Sequence, residues 1–224
     1  MRTLRKVSSL AAIALLAASL NIVHAQTNSG ALIAVEATAM NVLYLGVNNP
    51  VNIAVAGYES SEISVKVSQG MIEGSNGIYE VKPGKAGKLS FDVYAGEKHL
   101  GSKVFRVLTV PDPAAVLRNA DGTIAMKGPK AKMNIQQAAQ VKSLGADLND
   151  FLFDVHFKVI SFQMSVNIDG IAKVLTSDAA EFTREMQQQI RSARPGQVFV
   201  FEDIKAIGPD GKTRKLQAIE VKIM

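Results

Sequence analysis

Cysteine and tryptophan are both missing from the 224 residues. Without thiols there is no disulfide, no thiolate nucleophile and no thiolate metal site. A lipid-modified cysteine is excluded too, so packing alone must hold the fold. Histidine is scarce: beyond His24 only His99 and His156 occur, far apart in the chain and a poor ligand set. Neither HExxH nor an EF-hand loop is present, and neither the phosphate-cradling GxxxxGK[ST] nor the nucleophile elbow GxSxG occurs. The lack of tryptophan removes the usual platform for stacking sugars. Tyr44, Tyr58, Tyr79 and Tyr94 read as strand residues with a wet hydroxyl end.

Charge of one sign is also missing. The formal charge is +5, but Arg2, Arg5 and Lys6 supply three of the 25 basic residues, leaving 22 against 20 acidic ones over the rest. That balance offers no field for nucleic acid. Those three charges precede an apolar run from Leu10 to Leu20 and the small-residue pattern Val23-His24-Ala25. The run is too short for a stable bilayer-spanning helix, so residues 1–25 read as a signal peptide cut between Ala25 and Gln26. The mature chain is expected in the periplasm or outside the cell, without a membrane span.

What remains divides by pattern. From Ala31 to Val110 short alternating runs are broken by turn residues: 31–37, 41–47, 51–55, then Ile63/Val65/Val67, 78–82, Leu89/Phe91/Val93 and 99–110. About seven strands with no helical period predict an immunoglobulin-like β-sandwich over residues 26–110. Pro111-Asp112-Pro113 then fixes two φ angles and removes two amide donors, predicting a short stiff linker.

Residues 111–224 predict a β-rich α+β domain with about two helices. One helix is expected over Asn134–Leu144, closed by Gly145. A second is expected to be capped by Ser177 or Asp178, to bury Phe182, Met186 and Ile190, and to end at Pro195-Gly196. Asp169-Gly170 signals a tight hairpin. Two strands, 197–207 and 214–224, close the chain around Gly208-Pro209-Asp210-Gly211.

The organising stretch is Phe151–Ile168. Phe151, Phe153, Val155, Phe157 and Val159 alternate with polar residues, and then Ile160, Phe162, Met164, Val166 and Ile168 take over the apolar row. One long strand with a bulge near Val159–Ser161 accounts for both rows.

Candidate chemistry is thin. Asp154, His156 and Ser161 could suggest an acid, a base and a nucleophile. Asp154 and His156 fall side by side on one strand face, however, and Ser161 lies beyond the phase change, so the set reads as a polar outer face. No catalytic residue, cofactor or metal site is expected. The basic cluster Lys212, Arg214 and Lys215 is the candidate rim for an acidic partner surface.

Four segments, MNVLYLGVNNPVNIAV (40–55), KVFRVLTVPDPAAVL (103–117), FDVHFKVISFQMSV (153–166) and GQVFVFEDIKAIGPDGKTRKL (196–216), occur in an order that resembles the C-terminal half of the GldM/PorM family. These are gliding-motility and type IX secretion proteins. The resemblance implies two consecutive periplasmic domains, the third and fourth of the family, the third immunoglobulin-like and the last β-rich with helices. It also implies dimers that connect an inner-membrane motor to an outer-membrane-associated ring of partner proteins, which the terminal domains contact. Family members carry an N-terminal membrane helix and two further domains, where this chain is expected to begin with a cleavable signal. The expected role is therefore docking onto secretion or gliding components, with homodimerisation. An exported adhesin or carbohydrate-binding accessory protein is the alternative, and a hydrolase a distant third.

Overall fold

The computed structural model describes residues 40–148 and 151–224. The Ala25–Gln26 cleavage point and the strand expected over 31–37 lie outside them. Residues 40–110 hold seven strands: β1 (Val42–Tyr44), β2 (Asn49–Asn52), β3 (Ile63–Val67), β4 (Met71–Ser75), β5 (Ile78–Lys82), β6 (Gly87–Ala95) and β7 (Lys98–Leu108). One sheet runs β1-β7-β6-β3 and the other β2-β5-β4. Leu43, Leu89, Phe91 and Val107 from the first meet Val81, Val51 and Ile72 from the second in a single apolar cluster. That is an immunoglobulin-like sandwich, with β1 parallel to β7 and the remaining pairs antiparallel.

Asn48-Asn49-Pro50, which separates two of the alternating runs, is partly strand. Asn49 is buried, and its side chain accepts from Tyr44 N and donates to the carbonyls of Tyr44, Val47 and Val81. It takes the place of a backbone ladder where β1 crosses to the other sheet.

Beyond the linker come β8 (Ala114–Asn119), β9 (Ile124–Lys127), β10 (Lys130–Met133), α1 (Ile135–Gln140), β11 (Val141–Asp147), β12 (Lys158–Ile168), β13 (Ile171–Ser177), α2 (Arg184–Arg191), β14 (Val198–Ile207), β15 (Thr213–Lys215) and β16 (Ile219–Ile223). A sheet ordered β10-β16-β14-β12-β13, with β15 beside β14, faces the sheet β11-β8-β9. Between them Leu117, Leu144, Phe162, Met164, Phe182, Met186, Phe199, Phe201 and Ile204 form one core. The chain is mainly β, with two short helices among the described residues.

The helices need correction. α1 ends at Gln140, and Val141–Leu144 belong to β11, where they pair with β8. Asn134 and Gln137 make a reciprocal capping box, but the drifting apolar stripe beyond it is a strand seen with the wrong period. Gly145 is no cap. It sits inside β11 because an added Cβ would lie 2.3 Å from Arg118 Nε. The cap of α2 is Thr183, not Ser177 or Asp178, whereas the buried face of Phe182, Met186 and Ile190 is as expected.

The organising stretch splits in two. From Lys158 it is strand β12, and its register against β14 shifts on either side of Ser161. Ile160 is the extra residue on β12. A matching irregularity on β14 centres on Asp203, whose φ is +52°. Between them the bulges keep Val159, Phe162, Met164, Phe201, Ile204 and Ala206 on one buried face.

Residues 151–157 are not strand. They run as a strap, bent at Leu152 and Phe153, that still alternates half-buried and exposed. Their alternation reflects burial on one side without a sheet partner. Asp169 (φ +50°) and Gly170 (φ +87°) form the tight β12–β13 turn with both residues left-handed.

Candidate functional site

The polar and aromatic features with structural consequence gather where the two apolar clusters meet. Two turns approach each other there. Gly46, between β1 and β2, lies so close to Pro209 and Asp210 that a Cβ would stand 2.7 Å from their backbone atoms, and its φ of +82° suits glycine. Arg214 on β15 fastens the contact. Its Nη1 and Nη2 donate to the two oxygens of Asp210 at 2.9 Å each, its Nε to Asp112 in the linker at 2.8 Å, and its Nη2 also to the Val110 carbonyl at 3.3 Å.

The guanidinium lies over the Phe157 ring, 5.0 Å from its centroid. The Arg214 side chain is 10% exposed and that of Asp210 is 0% exposed. Hydrogen bonding from Arg214 holds the Asp210 carboxyl below its ordinary 3.8 and raises the guanidinium further above its own. A forked, fully charged donor is what three acceptors in different directions require.

The strap forms a second joint. The Phe151 and Phe153 rings meet Tyr44 on β1 edge-on, with centroids 4.9 and 5.4 Å away. Between those two phenylalanines Leu152 is 99% exposed. Next to the strap, a groove of about 660 Å³ opens against β11.

The expected basic rim is not a uniform surface. Lys212 and Lys215 are exposed. Lys215 pairs with Asp203 at 2.6 Å, an exposed contact that raises the lysine and lowers the aspartate through their hydrogen bond. Arg214 faces inward, because alternation on β15 sends the middle of three residues to the opposite side.

Catalytic geometry is no better supported. Asp154 Oδ1 and His156 Nδ1 stand 3.5 Å apart on the strap with both side chains in solvent, while Ser161 sits between the register shifts of β12. The sequence reading overlooked a second Asp, His and Ser set, which pairs across β6 and β7. There Ser102 Oγ donates to Asp92 Oδ1, and His99 Nε2 lies 3.1 Å from Ser102 Oγ and 3.9 Å from Asp92 Oδ1. Serine and aspartate approach the same imidazole nitrogen, whereas a relay needs the acid on the opposite one.

No group of three or more His, Cys, Asp or Glu among the described residues is placed to hold a metal. The void lined by Phe182, Phe199 and Phe201 measures about 10 Å³, at the lower limit for a single water. What the arrangement can do is present a jointed surface to another macromolecule.

Comparison with known proteins gives that surface a context. The pattern of the GldM third domain matches residues 32–108, and that of the GldM C-terminal domain matches residues 111–224. The chain belongs to the GldM family. The clamp thus joins residues matched to two successive GldM domains, in a protein module associated with gliding and type IX secretion. No curated protein matches the sequence.

Two solved structures give low-similarity alignments. The adhesin InvE of Yersinia pseudotuberculosis is 10% identical at a TM-score of 0.26, over 83% of this chain, which spans only 57% of the adhesin. Domains 6–7 of the surface layer protein SbsC are 13% identical at a TM-score of 0.20, over 79% of this chain and 78% of that one. Scores this low carry no argument about fold or function. GldM domains are periplasmic in the family, and no helix among the described residues is long and apolar enough to cross a membrane.

Proposed function

We propose that this GldM-family chain is a non-enzymatic interaction module that docks onto components of the type IX secretion or gliding apparatus in the periplasm. The observation that carries the reading is the ordered pair of GldM domain matches across residues 32–224. In the proposal residues 1–25 direct export and are removed between Ala25 and Gln26. Residues 26–110 and 111–224 then act as two domains presenting one composite face.

The Arg214 clamp supports that reading physically. A linker of two prolines is stiff but not fixed. Bonding Asp112 of that linker and the adjoining Val110 to Arg214 of the second domain holds the two domains through a rigid joint. Lys212 and Lys215, beside the clamp, would steer an acidic partner surface, acting on association rate more than on affinity. A second copy of the chain is included among the proposed partners.

The test is recovery. A tagged chain, crosslinked in intact cells and purified from the periplasmic fraction, should bring down secretion or gliding components identifiable by mass spectrometry. Absence of every such component, in cells that express the apparatus, would overturn the reading.

A further inference from the structure

Helix α2 has a buried side and an open one. Met186 and Ile190 turn inward beside Phe182, and Arg184, Gln188 and Arg191 lie exposed along the opposite stripe at i, i+4 and i+7. With Gln187 and Ser192 they line an open depression of about 460 Å³. No carboxylate and no apolar residue is part of that lining.

The two arginines stand apart from others in the chain. Arg118, Arg194 and Arg214 each meet a carbonyl or a carboxylate. Among the described residues Arg184 and Arg191 meet neither. Positions 187 and 188 lie three or four residues from both arginines, where an acid would form an intrahelical ion pair, and both are glutamine. Gln187 donates its amide to the Phe182 carbonyl, and the Ser192 hydroxyl donates to the carbonyls of Gln188 and Gln189. The Gln188 amide is left without a partner among the described residues.

The acids around the stripe are engaged or set aside. Glu185, on the flank of the helix, is held by Lys173 at 2.8 Å, and Asp169 stands 3.7 Å from Arg194. Asp178 and Glu181 are exposed, but they precede the Thr183 cap and line no part of the depression. Neighbouring α1 packs against α2 and exposes Gln136, Gln137 and Gln140, none of them charged.

Folding accounts for only one of the two cations. Arg191, in the last turn, suits the negative end of the helix dipole, whereas Arg184, the first helical residue, sits against the positive end. An anion from outside the chain answers both arginines, and beside Arg184 it also meets the dipole with the favourable sign. Seven residues of α2 are two turns, about 10.5 Å. A partner helix lying alongside repeats at that interval. On a strand, three residues cover the same length but point the two side chains to opposite faces.

From this geometry we infer that the outer stripe of α2 docks an acidic helix of a partner protein, with carboxylates seven residues apart set against Arg184 and Arg191. Polar side chains between those carboxylates face Gln188. The inference deepens the docking role proposed above by naming the partner's chemistry at one face. Because no apolar residue lines the depression, the attraction is electrostatic, steering association and weakening with salt.

The probe is a helical peptide of about twenty residues, built on alanine and glutamine with glutamate at every seventh position. It is titrated into the isotopically labelled full mature chain and followed by nuclear magnetic resonance. Shifts are expected at the Nε–H groups of Arg184 and Arg191 and at the Gln188 side-chain amide. The apparent affinity should fall several-fold as ionic strength rises from about 0.01 to about 0.1 M. Arg184→Gln and Arg191→Gln should each weaken binding about two- to fivefold, the scale of an exposed ion pair. The double variant should abolish it with the fold intact, since neither arginine has a partner to lose. The same number of glutamates placed five residues apart, and so spread around the helix, should bind more weakly. Arg184→Glu combined with Arg191→Glu should transfer the preference to the matching lysine peptide.

No shift at these side chains, shifts that survive the double glutamine variant, or equal binding of the two glutamate spacings would overturn the inference. Shifts there that grow with protein concentration in the absence of peptide would assign the face to a second copy and also overturn it. If the peptide fails while secretion components are still recovered from cells, only this inference falls. If it binds and no such component is recovered, the docking role falls instead.

Discussion

Arg214 reaches both carboxylate oxygens of Asp210 at 2.9 Å and leaves that side chain with no exposed surface. A buried pair of this kind costs most when one partner is removed, because the other is stranded without solvent. Arg214→Ala should therefore destabilise the protein by about 3–5 kcal/mol, read from the denaturant midpoint. Arg214→Lys should recover only part of it, since an ammonium cannot serve Asp210 and Asp112 with one planar fork. A cost near zero for Arg214→Ala would show that the joint is decorative.

The same pair sets an acid limit. Hydrogen bonding from Arg214 places the Asp210 pKa in the folded protein below its ordinary 3.8. Its contribution is therefore fully present above that ordinary value and fades as pH falls through the lowered one. The stability difference between the parent and Asp210→Asn should hold from neutral pH down to about 4 and shrink below it. Denaturant titrations at stepped pH measure this. A difference that instead vanished near neutrality would point to a histidine and not to Asp210.

Gly46 tests the joint from the other side. Gly46→Ala must accommodate a methyl 2.7 Å from the Pro209 and Asp210 backbone at a φ of +82°. A left-handed non-glycine residue alone costs roughly 1–3 kcal/mol, and the clash adds to it. Faster amide exchange should follow at Asp210 and Gly211, with the interior of β6 unchanged. Uniform acceleration across the sandwich would mean the turn matters to the whole domain and not to the joint.

Phe162 probes the second core. It is buried against Phe182 and Phe201, with ring centroids 5.7 and 6.2 Å away. Phe162→Ala should cost about 3–5 kcal/mol. Val104→Ala, on the exposed surface of β7, should change stability by no more than about 0.5 kcal/mol.

Much of the fold was legible in the residues. Ile63, Val65 and Val67 announced β3, and Ile78–Lys82 marked β5 to the residue. The phase change at Val159–Ile160 foretold the β12 bulge. The compensating bulge on β14 leaves the same mark, since Phe199 and Phe201 give way to Ile204 and Ala206.

Other features were hidden for physical reasons. Alternation measures one-sided burial, so Phe151–Phe157 looked like a strand although its cover is partly Tyr44 of the sandwich. Strands β8 to β10 lie between the linker and α1 without a clean alternating row. Arg214 looked like surface charge because two of its acceptors, Asp112 and Val110, lie about a hundred residues earlier, a pairing that local pattern cannot convey.

The central claim, that the jointed surface docks onto the secretion or gliding apparatus, is tested most directly by a photocrosslinking residue at Leu152, the most exposed apolar side chain on the strap. The same probe at Met71, exposed on β4, serves as the remote control. After irradiation of living cells, the protein with the probe at 152 should form a discrete adduct containing a gliding or type IX secretion component, and the protein with the probe at 71 should not. No adduct at 152, or the same adduct from both positions, would contradict the account.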